Sequence, residues 1–312
     1  MLYRVIFDTD TGIDDAMALL FLLRSPELAL EGVTTVFGNS TVDNCTRNAL
    51  AVLEVGGRPH VPVARGSDRP LLRPYRGRGY AAHGENGLGN VELPPPKARP
   101  RDMPAAQFIV ERVMAAPGEI GLIAVGPLTN LALALRLEPR VAETARQVIV
   151  MGGAATVGGN ATAAAEANVH NDPESASIVF SAGWPLTMVG LDVTTQLIMD
   201  KSYLARLEAA HTRLTDFIVA IAEFYSQSCY RRYGITGLFA HDSLAVVRAV
   251  DPTLFQTKRL HVVVDTTDGP SSGRTVADLR PRPAQEPNVD VCLGVDAARC
   301  LQLYGDRITG QD

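Results

Sequence analysis

Four aspartates lie close together near the start of the chain: Asp8, Asp10, Asp14 and Asp15. Carboxylates this close repel one another unless a cation gathers them. By the two-residue period of a strand, Asp8 and Asp10 share one face, and the other two fall in the first turn of the following helix. No cysteine or histidine lies nearby, which favours oxygen ligation by calcium or magnesium over zinc. The alternative is that Asp14 and Asp15 only complement a helix dipole.

Strand-like segments alternate with helix-like segments from the first residues onward. We predict strands at residues 4–9, 30–37, 120–125, 148–151 and 186–189, and helices at 13–24, 42–55, 128–137, 173–182 and 214–232. Asp172 followed by Pro173 marks one helix start, because aspartate caps a helix and proline suits its first position. The alternation predicts an α/β fold whose mainly parallel, Rossmann-like central sheet is flanked by helices.

Two long stretches show no sustained period, at residues 66–104 and 266–288. Loops of that length in compact domains are usually functional or disordered. A last strand and helix are expected after the second stretch. The chain shows no internal repeat and no clear linker, so we predict one domain over residues 1–312.

Polar residues and glycines recur where the predicted strands end. After the aspartate cluster, these ends are Gly38-Asn39, Gly126-Pro127-Leu128-Thr129-Asn130, Gly152-Gly153 and Gly190-Leu191-Asp192. Parallel α/β sheets bind ligands outside the carboxyl ends of their strands, where the loops gather. We therefore expect the active site at this edge of the sheet.

The composition is that of a packed globular protein. Of 312 residues, 46% are hydrophobic and 20% charged, and the net charge is −5. Without a long basic run, a small-molecule partner is favoured over nucleic acid. Four dispersed cysteines are expected to be free thiols, and no apolar run is long enough to cross a membrane, so we expect a cytoplasmic protein.

Residues 5–19, VIFDTDTGIDDAMAL, resemble the N-terminal signature of the nucleoside hydrolase family of the inosine-uridine preferring type. Further similar segments follow in the family's order: Val36-Phe37-Gly38-Asn39, Gly126-Pro127-Leu128-Thr129-Asn130, Met151-Gly152-Gly153-Ala154, Gly159-Asn160, Ala165-Glu166-Ala167-Asn168, Asn171-Asp172-Pro173-Glu174 and His241-Asp242. The resemblance spans residues 4–250. It implies hydrolysis of the N-glycosidic bond of ribonucleosides to ribose and free base.

The resemblance also implies a calcium site. Its ligands would be Asp10, Asp15, Asp242 and the main-chain carbonyl of Val125, where the family often has threonine. Asp10 would serve as general base for the calcium-bound water, and Asn39 would help to orient that water. A metal ion suits this chemistry because it lowers the pKa of its water and fixes the water's direction.

For the sugar, the resemblance implies that Asp14 and Asn168 bind the ribose 2′- and 3′-hydroxyls. Asn160 and Glu166 would reach the 5′-hydroxyl. Cleavage of an N-glycoside passes through an oxocarbenium-like ribosyl group, which nearby carboxylates stabilise.

At the base end, two histidines are candidates for assisting the leaving base, which otherwise departs as an anion. A histidine at the position of His241 serves the leaving group in the family, and His83 lies in a segment that resembles a loop flanking the site. Which of the two is the main acid stays open. Similar helix ends supply base contacts, here Gln227 and Tyr230, although these side chains could equally pack in the core.

Two other functions fit parts of the sequence. An aspartate-x-aspartate pair after an apolar strand also opens haloacid-dehalogenase-like phosphatases, where the first aspartate is the nucleophile. That mechanism needs a lysine and a late acidic pair, and the chain has three lysines, Lys97, Lys201 and Lys258. A non-catalytic nucleoside- or ribose-binding protein is the third possibility. By resemblance we also expect a homodimer or homotetramer.

Overall fold

The computed structural model describes residues 2–75 and 79–310. Its strands are β1 (Tyr3–Thr9), β2 (Leu28–Thr35), β3 (Val63–Arg65), β4 (Ile120–Ala124), β5 (Val148–Met151), β6 (Leu186–Val189), β7 (Ile198–Met199), β8 (Leu238–Phe239), β9 (Phe255–Leu260), β10 (Val262–Val264), β11 (Thr275–Ala277) and β12 (Val289–Val295).

The helices are α1 (Ile13–Leu23), α2 (Val42–Val55), α3 (Tyr80–His83), α4 (Ala105–Ala115), α5 (Thr129–Leu137), α6 (Val141–Thr144), α7 (Ala167–Asn171), α8 (Pro173–Phe180), α9 (Leu191–Thr194), α10 (Lys201–Glu208), α11 (Arg213–Tyr233), α12 (His241–Val250) and α13 (Ala297–Thr309). A 3-10 turn at Pro252–Leu254 follows α12.

Within the described residues, eight strands form the central sheet in the order β3-β2-β1-β4-β5-β6-β12-β9. Every neighbouring pair is parallel except β12 with the edge strand β9. From β1 the chain moves outward to β2 and β3 and then returns to β4 on the other side. Such a reversal of strand order opens a crevice at the carboxyl ends of the two central strands. Asp10 follows β1 and Val125 follows β4, so both lie at this crevice.

The two faces of the sheet carry separate apolar layers, one including α1, α2, α11, α12 and α13 and the other α4, α5 and α8. Helix α1 is buried along residues 13–22, which is why its sequence is apolar nearly all round. Helix α12 packs against α1. This contact brings the first turns of two helices, with Asp14, Asp15 and Asp242, to one place.

The structure confirms the predicted Rossmann-like α/β architecture. Segments 42–55, 148–151 and 186–189 have the predicted bounds, and the other predicted strands and helices shift at their ends by one or two residues. Asp172 caps α8 as predicted, since its carboxylate accepts a hydrogen bond from the main-chain N–H of Ser175 at 3.1 Å.

The two stretches predicted to be irregular hold short elements. The first contains α3, a single turn, and the second contains β11, which pairs with β10 as an antiparallel hairpin. Elements of three or four residues are too short to show a periodic pattern, which is why periodicity does not predict them. Across the described residues, no helix combines the length and apolar character needed to cross a membrane.

Candidate active site

Three aspartate carboxylates meet at the crevice. Asp14, Asp15 and Asp242 each offer an oxygen, and these oxygens lie within 4.8 Å of one another. Asp10 stands outside this trio but within hydrogen-bonding reach of the Asp15 carboxylate. All four side chains are buried, with exposed fractions of 5% or less. The structure thus groups two of the predicted metal-binding carboxylates, Asp15 and Asp242, with Asp14, and places the third, Asp10, beside this group.

The electrostatics of this cluster are unfavourable without a cation. Burial, followed by the negative charge of Asp15, raises the pKa of Asp10 and of Asp14 well above the usual range. Burial and the charge of Asp14 do the same to the pKa of Asp242. Among the described residues, Oδ1 of Asp10 and Oδ1 of Asp14 are buried without a hydrogen-bond partner. Buried oxygens are normally satisfied, so these atoms lack a partner that a cation would supply.

Asp15 is the most firmly held of the four. Its Oδ1 accepts a hydrogen bond from the Thr9 hydroxyl at 2.5 Å, and its Oδ2 accepts from the Gly12 N–H at 2.9 Å and from Asn39 Nδ2 at 2.8 Å. The Gly12 contact closes the first turn of α1, because a carboxylate at the third helical position can bond back to the cap. The side chain is therefore fixed by the fold before any ligand binds.

A tight turn after β2 holds Asp10. The main-chain N–H of Asn39 donates to Asp10 Oδ2 at 2.7 Å. Gly38 has a φ of +156°, and a Cβ at this position would overlap the Asp10 carboxylate, so only glycine permits the approach. The Tyr75 hydroxyl lies 2.8 Å from the Gly38 carbonyl and 3.1 Å from the Ser40 carbonyl, on both sides of Asn39.

Val125 and Asn168 are in direct contact. Asn168 Nδ2 donates to the Val125 carbonyl at 2.8 Å and to the Met151 carbonyl at 3.1 Å. A carbonyl oxygen has two lone pairs, so that of Val125 keeps one for another partner. The polar atom left on the Asn168 amide is Oδ1, an acceptor suited to a hydroxyl.

Glu166 caps α7, and three main-chain N–H groups occupy most of its carboxylate. Its carboxylate accepts from the N–H groups of Gly153 (3.0 Å), Asn168 (2.9 Å) and Val169 (3.2 Å). Asn160 Oδ1 accepts from the Ala167 N–H at 2.9 Å, which leaves its Nδ2 as a donor. A ribose hydroxyl at Glu166 would therefore join an existing set of hydrogen bonds, whereas Asn160 has a free donor group.

Both candidate histidines line one cavity of about 340 Å³, together with Asn39 and Asn160. His83 Nδ1 accepts the main-chain N–H of Ile13 at 3.1 Å, so its other ring nitrogen, Nε2, carries the proton when the ring is neutral. Burial, reinforced by the other histidine, lowers the pKa of His83 to about 3. Burial and then the charge of Arg232 lower the pKa of His241 to about 4. Near neutral pH both rings are therefore uncharged hydrogen-bond donors.

The structure does not bring Gln227 and Tyr230 to this cavity, which corrects their assignment as base contacts. Both are exposed on the outer side of α11, Tyr230 by 65% of its surface, and Gln227 Nε2 lies 3.5 Å from Glu223. The α11 residues that line the cavity are Tyr225, Ser228, Cys229, Arg232 and Tyr233. These recur every three or four residues, so the helical period of the segment could have identified them.

The phosphatase alternative lacks its lysine. Lys97, Lys201 and Lys258 are all exposed, so none of them accompanies the buried aspartates. A haloacid-dehalogenase-like site needs such a cation beside its nucleophile. The acidic cluster instead offers oxygen ligands alone, and its unsatisfied buried oxygens fit a bound metal ion.

Comparison with known proteins identifies the family of this chain. The sequence pattern of the family described as "Inosine-uridine preferring nucleoside hydrolase" matches residues 5–302. The chain belongs to the nucleoside hydrolase family. It is 39% identical to "Probable uridine nucleosidase 2" of Arabidopsis thaliana over 98% of this chain and 97% of that one. The predicted family is thereby confirmed.

Solved structures of the same family superpose closely on the chain. A plant nucleoside hydrolase gives a TM-score of 0.96 at 36% identity, covering 100% of both chains. A purine-preferring ribonucleoside hydrolase from Gardnerella vaginalis gives a TM-score of 0.94 at 35% identity, covering 98% of both. Proteins similar to this chain are thus named for uridine in one case and for purines in another.

The buried carboxylates predict a pH-dependent response of thermal stability to calcium. Their pKa values are raised in the metal-free folded state, so its stability is full below about pH 4 and falls as the pH rises. A bound cation removes this loss by keeping the carboxylates ionised with a partner. Calcium added to chelator-treated protein should therefore raise the Tm more at about pH 8 than at about pH 5.

Scanning calorimetry or dye-based melting measures both shifts. The Asp242→Asn variant is the control, because it keeps the side-chain volume and removes one carboxylate, so its calcium response should shrink. Equal calcium shifts at the two pH values would contradict the account.

Proposed function

We propose that the protein hydrolyses the N-glycosidic bond of ribonucleosides, releasing ribose and the free base. The proposal rests on one observation: two kinds of functional group lie close together at the crevice. Buried carboxylates with unsatisfied oxygens lie at the strand ends, and two uncharged histidines line the cavity beside them. The first suits water activation and a cationic sugar, and the second suits a departing base.

Calcium is the proposed cofactor, held by Asp10, Asp15, Asp242 and the Val125 carbonyl. The donor set supports it, because every contributing atom is an oxygen and two of the carboxylate oxygens nearby are unsatisfied. When bound, the ion supplies a Lewis acid that makes water more acidic and offsets the carboxylate charges.

Asp10 is the proposed general base. Its Oδ2 is fixed by the Asn39 N–H, which orients the group, while its Oδ1 is unsatisfied and has two lone pairs, one for a cation and one for the proton of a water. Water attacks C1′ of the ribose and gives its proton to Asp10. The C1′–N bond breaks, and its electron pair leaves with the base.

The sugar contacts follow from the atoms left unused. Asn168 Oδ1 can accept from a ribose hydroxyl, since its Nδ2 is bound to two carbonyls. Asp14 would bind the neighbouring hydroxyl, with Asn160 and Glu166 toward the 5′ end. Carboxylates placed around the ring also stabilise the positive charge that grows on C1′.

The base end is built from His83 and His241, with the Tyr225 ring tilted against that of His83 at a centroid distance of 5.3 Å. Either histidine can donate a hydrogen bond to the leaving base. Because similar proteins are named for different bases, we propose the ribonucleoside class as substrate. Assembly as a homodimer or homotetramer and a cytoplasmic location stay predictions.

Asp10→Asn tests the function most simply. The substitution keeps the size of the side chain but removes the proton acceptor, so ribose release from a panel of uridine, cytidine, inosine, adenosine and guanosine should fall by about 10²- to 10⁴-fold in kcat. Reducing-sugar assays measure it, and wild-type protein that releases ribose from no member of the panel would contradict the proposal in favour of a non-catalytic binding protein.

Asp8→Asn is the matched control, two residues before Asp10 and near the end of β1. Burial raises the pKa of Asp8 to about 7, and the carboxyl accepts from Thr34 in β2 and from Asn130 in α5, so asparagine resembles its protonated form. This variant should keep most of its activity. Near-wild-type ribose release by Asp10→Asn would exclude Asp10 as the base.

A substrate with a good leaving group separates the two histidines. The leaving group of p-nitrophenyl riboside departs as a stabilised phenolate and needs no proton, unlike a nucleobase. His241→Ala should lose about 10²-fold or more on the best nucleoside and keep most activity on the nitrophenyl compound, with a smaller, base-dependent loss for His83→Ala.

Steady-state kinetics on the two substrates provide the readout. Parallel losses on both would mean that His241 positions the metal or the ribose. An unchanged nucleoside rate in His241→Ala would transfer the role to His83 or to water.

A further inference from the structure

The His241 side chain makes a polar contact with a buried threonine. His241 Nδ1 lies 2.8 Å from Thr194 Oγ1, and neither residue exposes more than 7% of its surface. A hydrogen bond to Nδ1 is lost if the ring turns over, because the turn exchanges the two edges of the imidazole. The contact therefore commits Nδ1 to the protein and leaves Nε2 for a ligand.

We propose that Thr194 is a positioning residue that holds His241 with its Nε2 edge toward the leaving base. The inference rests on the proposed function, in which His241 assists that departure. It concerns the threonine hydroxyl alone: with that hydroxyl as the donor to Nδ1, the ring proton lies on Nε2.

Helix α9, which carries Thr194, is held in place by hydrogen bonds to a neighbouring loop. The Asp192 carboxylate accepts from the Ala155 N–H at 2.8 Å, the Thr156 N–H at 2.7 Å and the Thr156 hydroxyl at 2.5 Å. The Leu191 N–H donates to the Gly153 carbonyl at 2.9 Å. These contacts tie a four-residue helix to the loop after β5, so the hydroxyl has a defined position.

The main chain next to His241 is tied to the same segment. Strands β7 and β8 pair through Ile198 with Phe239, and the Ala240 N–H donates to the Leu197 carbonyl at 3.2 Å. The Phe239 ring also lies against the imidazole, with centroids 5.3 Å apart and planes at 40°. The two partners of the hydrogen bond, Thr194 and His241, therefore lie in segments that are hydrogen-bonded to each other.

The other histidine of the cavity is held in the same way. His83 Nδ1 accepts from the main-chain N–H of Ile13, a group that can only donate. Each imidazole thus has Nδ1 bound to the protein and Nε2 left over, although the two partners come from different helices. Because both rings line the same cavity, this arrangement leaves two ring nitrogens available to donate to one leaving base.

The test compares Thr194→Val, which keeps the shape and removes the hydroxyl, with Thr194→Ser, which keeps the hydroxyl. Thr195→Val is the matched control, because the Thr195 hydroxyl donates to the Leu191 carbonyl of the same helix, at 2.8 Å, and not to His241. Each variant is assayed on the best nucleoside and on p-nitrophenyl riboside.

For Thr194→Val we expect kcat on the nucleoside to fall by about 10- to 100-fold with little change in KM, as when an outer hydrogen-bond partner is lost. Activity on the nitrophenyl compound should stay close to wild type. Thr194→Ser should restore most of the nucleoside activity, and Thr195→Val should match the wild type on both substrates. Equal losses on both substrates, or an unchanged nucleoside rate in Thr194→Val, would overturn the proposal.

A second measurement does not depend on turnover. Nitrogen-15 NMR of the histidine rings distinguishes the two neutral tautomers, and we expect His241 to carry its proton on Nε2 in the wild type and to lose that preference in Thr194→Val. An unchanged tautomer in the variant would overturn the role of Thr194. Failure of the proposed function shows up separately, as wild-type protein that releases no ribose.

Discussion

The mutual repulsion of buried carboxylates is the constraint on which this structure depends. Taking one carboxylate out of water costs several kcal/mol even after the protein relaxes, and each unpaired neighbour adds to that cost. Asp14, Asp15 and Asp242 nevertheless meet within 4.8 Å, with Asp10 beside them. A cation would relieve this repulsion, and the cluster has the oxygen ligands to bind a metal ion.

The surrounding elements hold the cluster in place against that repulsion. β1 and α1 supply three of the aspartates through one tight connection, and α12 supplies the fourth by packing against α1. Thr9, Gly12 and Asn39 then fix the carboxylate of Asp15 by three hydrogen bonds. Because these donors belong to the strand ends, the position of the cluster follows from the strand order of the sheet.

Burial also governs the charge of the two histidines that line the neighbouring cavity. There the polar groups are uncharged rather than ionised, since burial lowers the pKa values of His83 and His241 to about 3 and about 4. The carboxylates thus suit a cationic ribosyl group, and the histidines suit an electron-rich base. The two environments are adjacent, since His83 Nδ1 lies 3.9 Å from Asp14 Oδ1, so charge that develops along the breaking bond would be stabilised on both sides.

Much of the fold is predictable because its signals are local. The alternation of apolar strands and helices predicts the sheet, and the spacing of Asp10, Asp14 and Asp15 indicates a cation site. Asp8, counted with them in the sequence, is bound to Thr34 and Asn130 instead. Asp242 has no such local signal, because it joins the cluster only when α12 packs on α1. Its assignment depends on family resemblance.

Side-chain direction is harder to predict than element type. Gln227 and Tyr230 lie in the predicted helix but on its outer side. The bounds of a helix, without its apolar period, do not show which face packs inward. Thr194 lies in a helix of four residues, too short for any periodic pattern, and its contact with His241 exists only in three dimensions.

The metal content of the purified protein tests the central claim most directly. After dialysis into metal-free buffer without chelator, elemental analysis should find about one calcium per chain, since the proposed ligands are all oxygens. Stoichiometric zinc, or full ribose-releasing activity in protein that contains no divalent metal, would contradict the account.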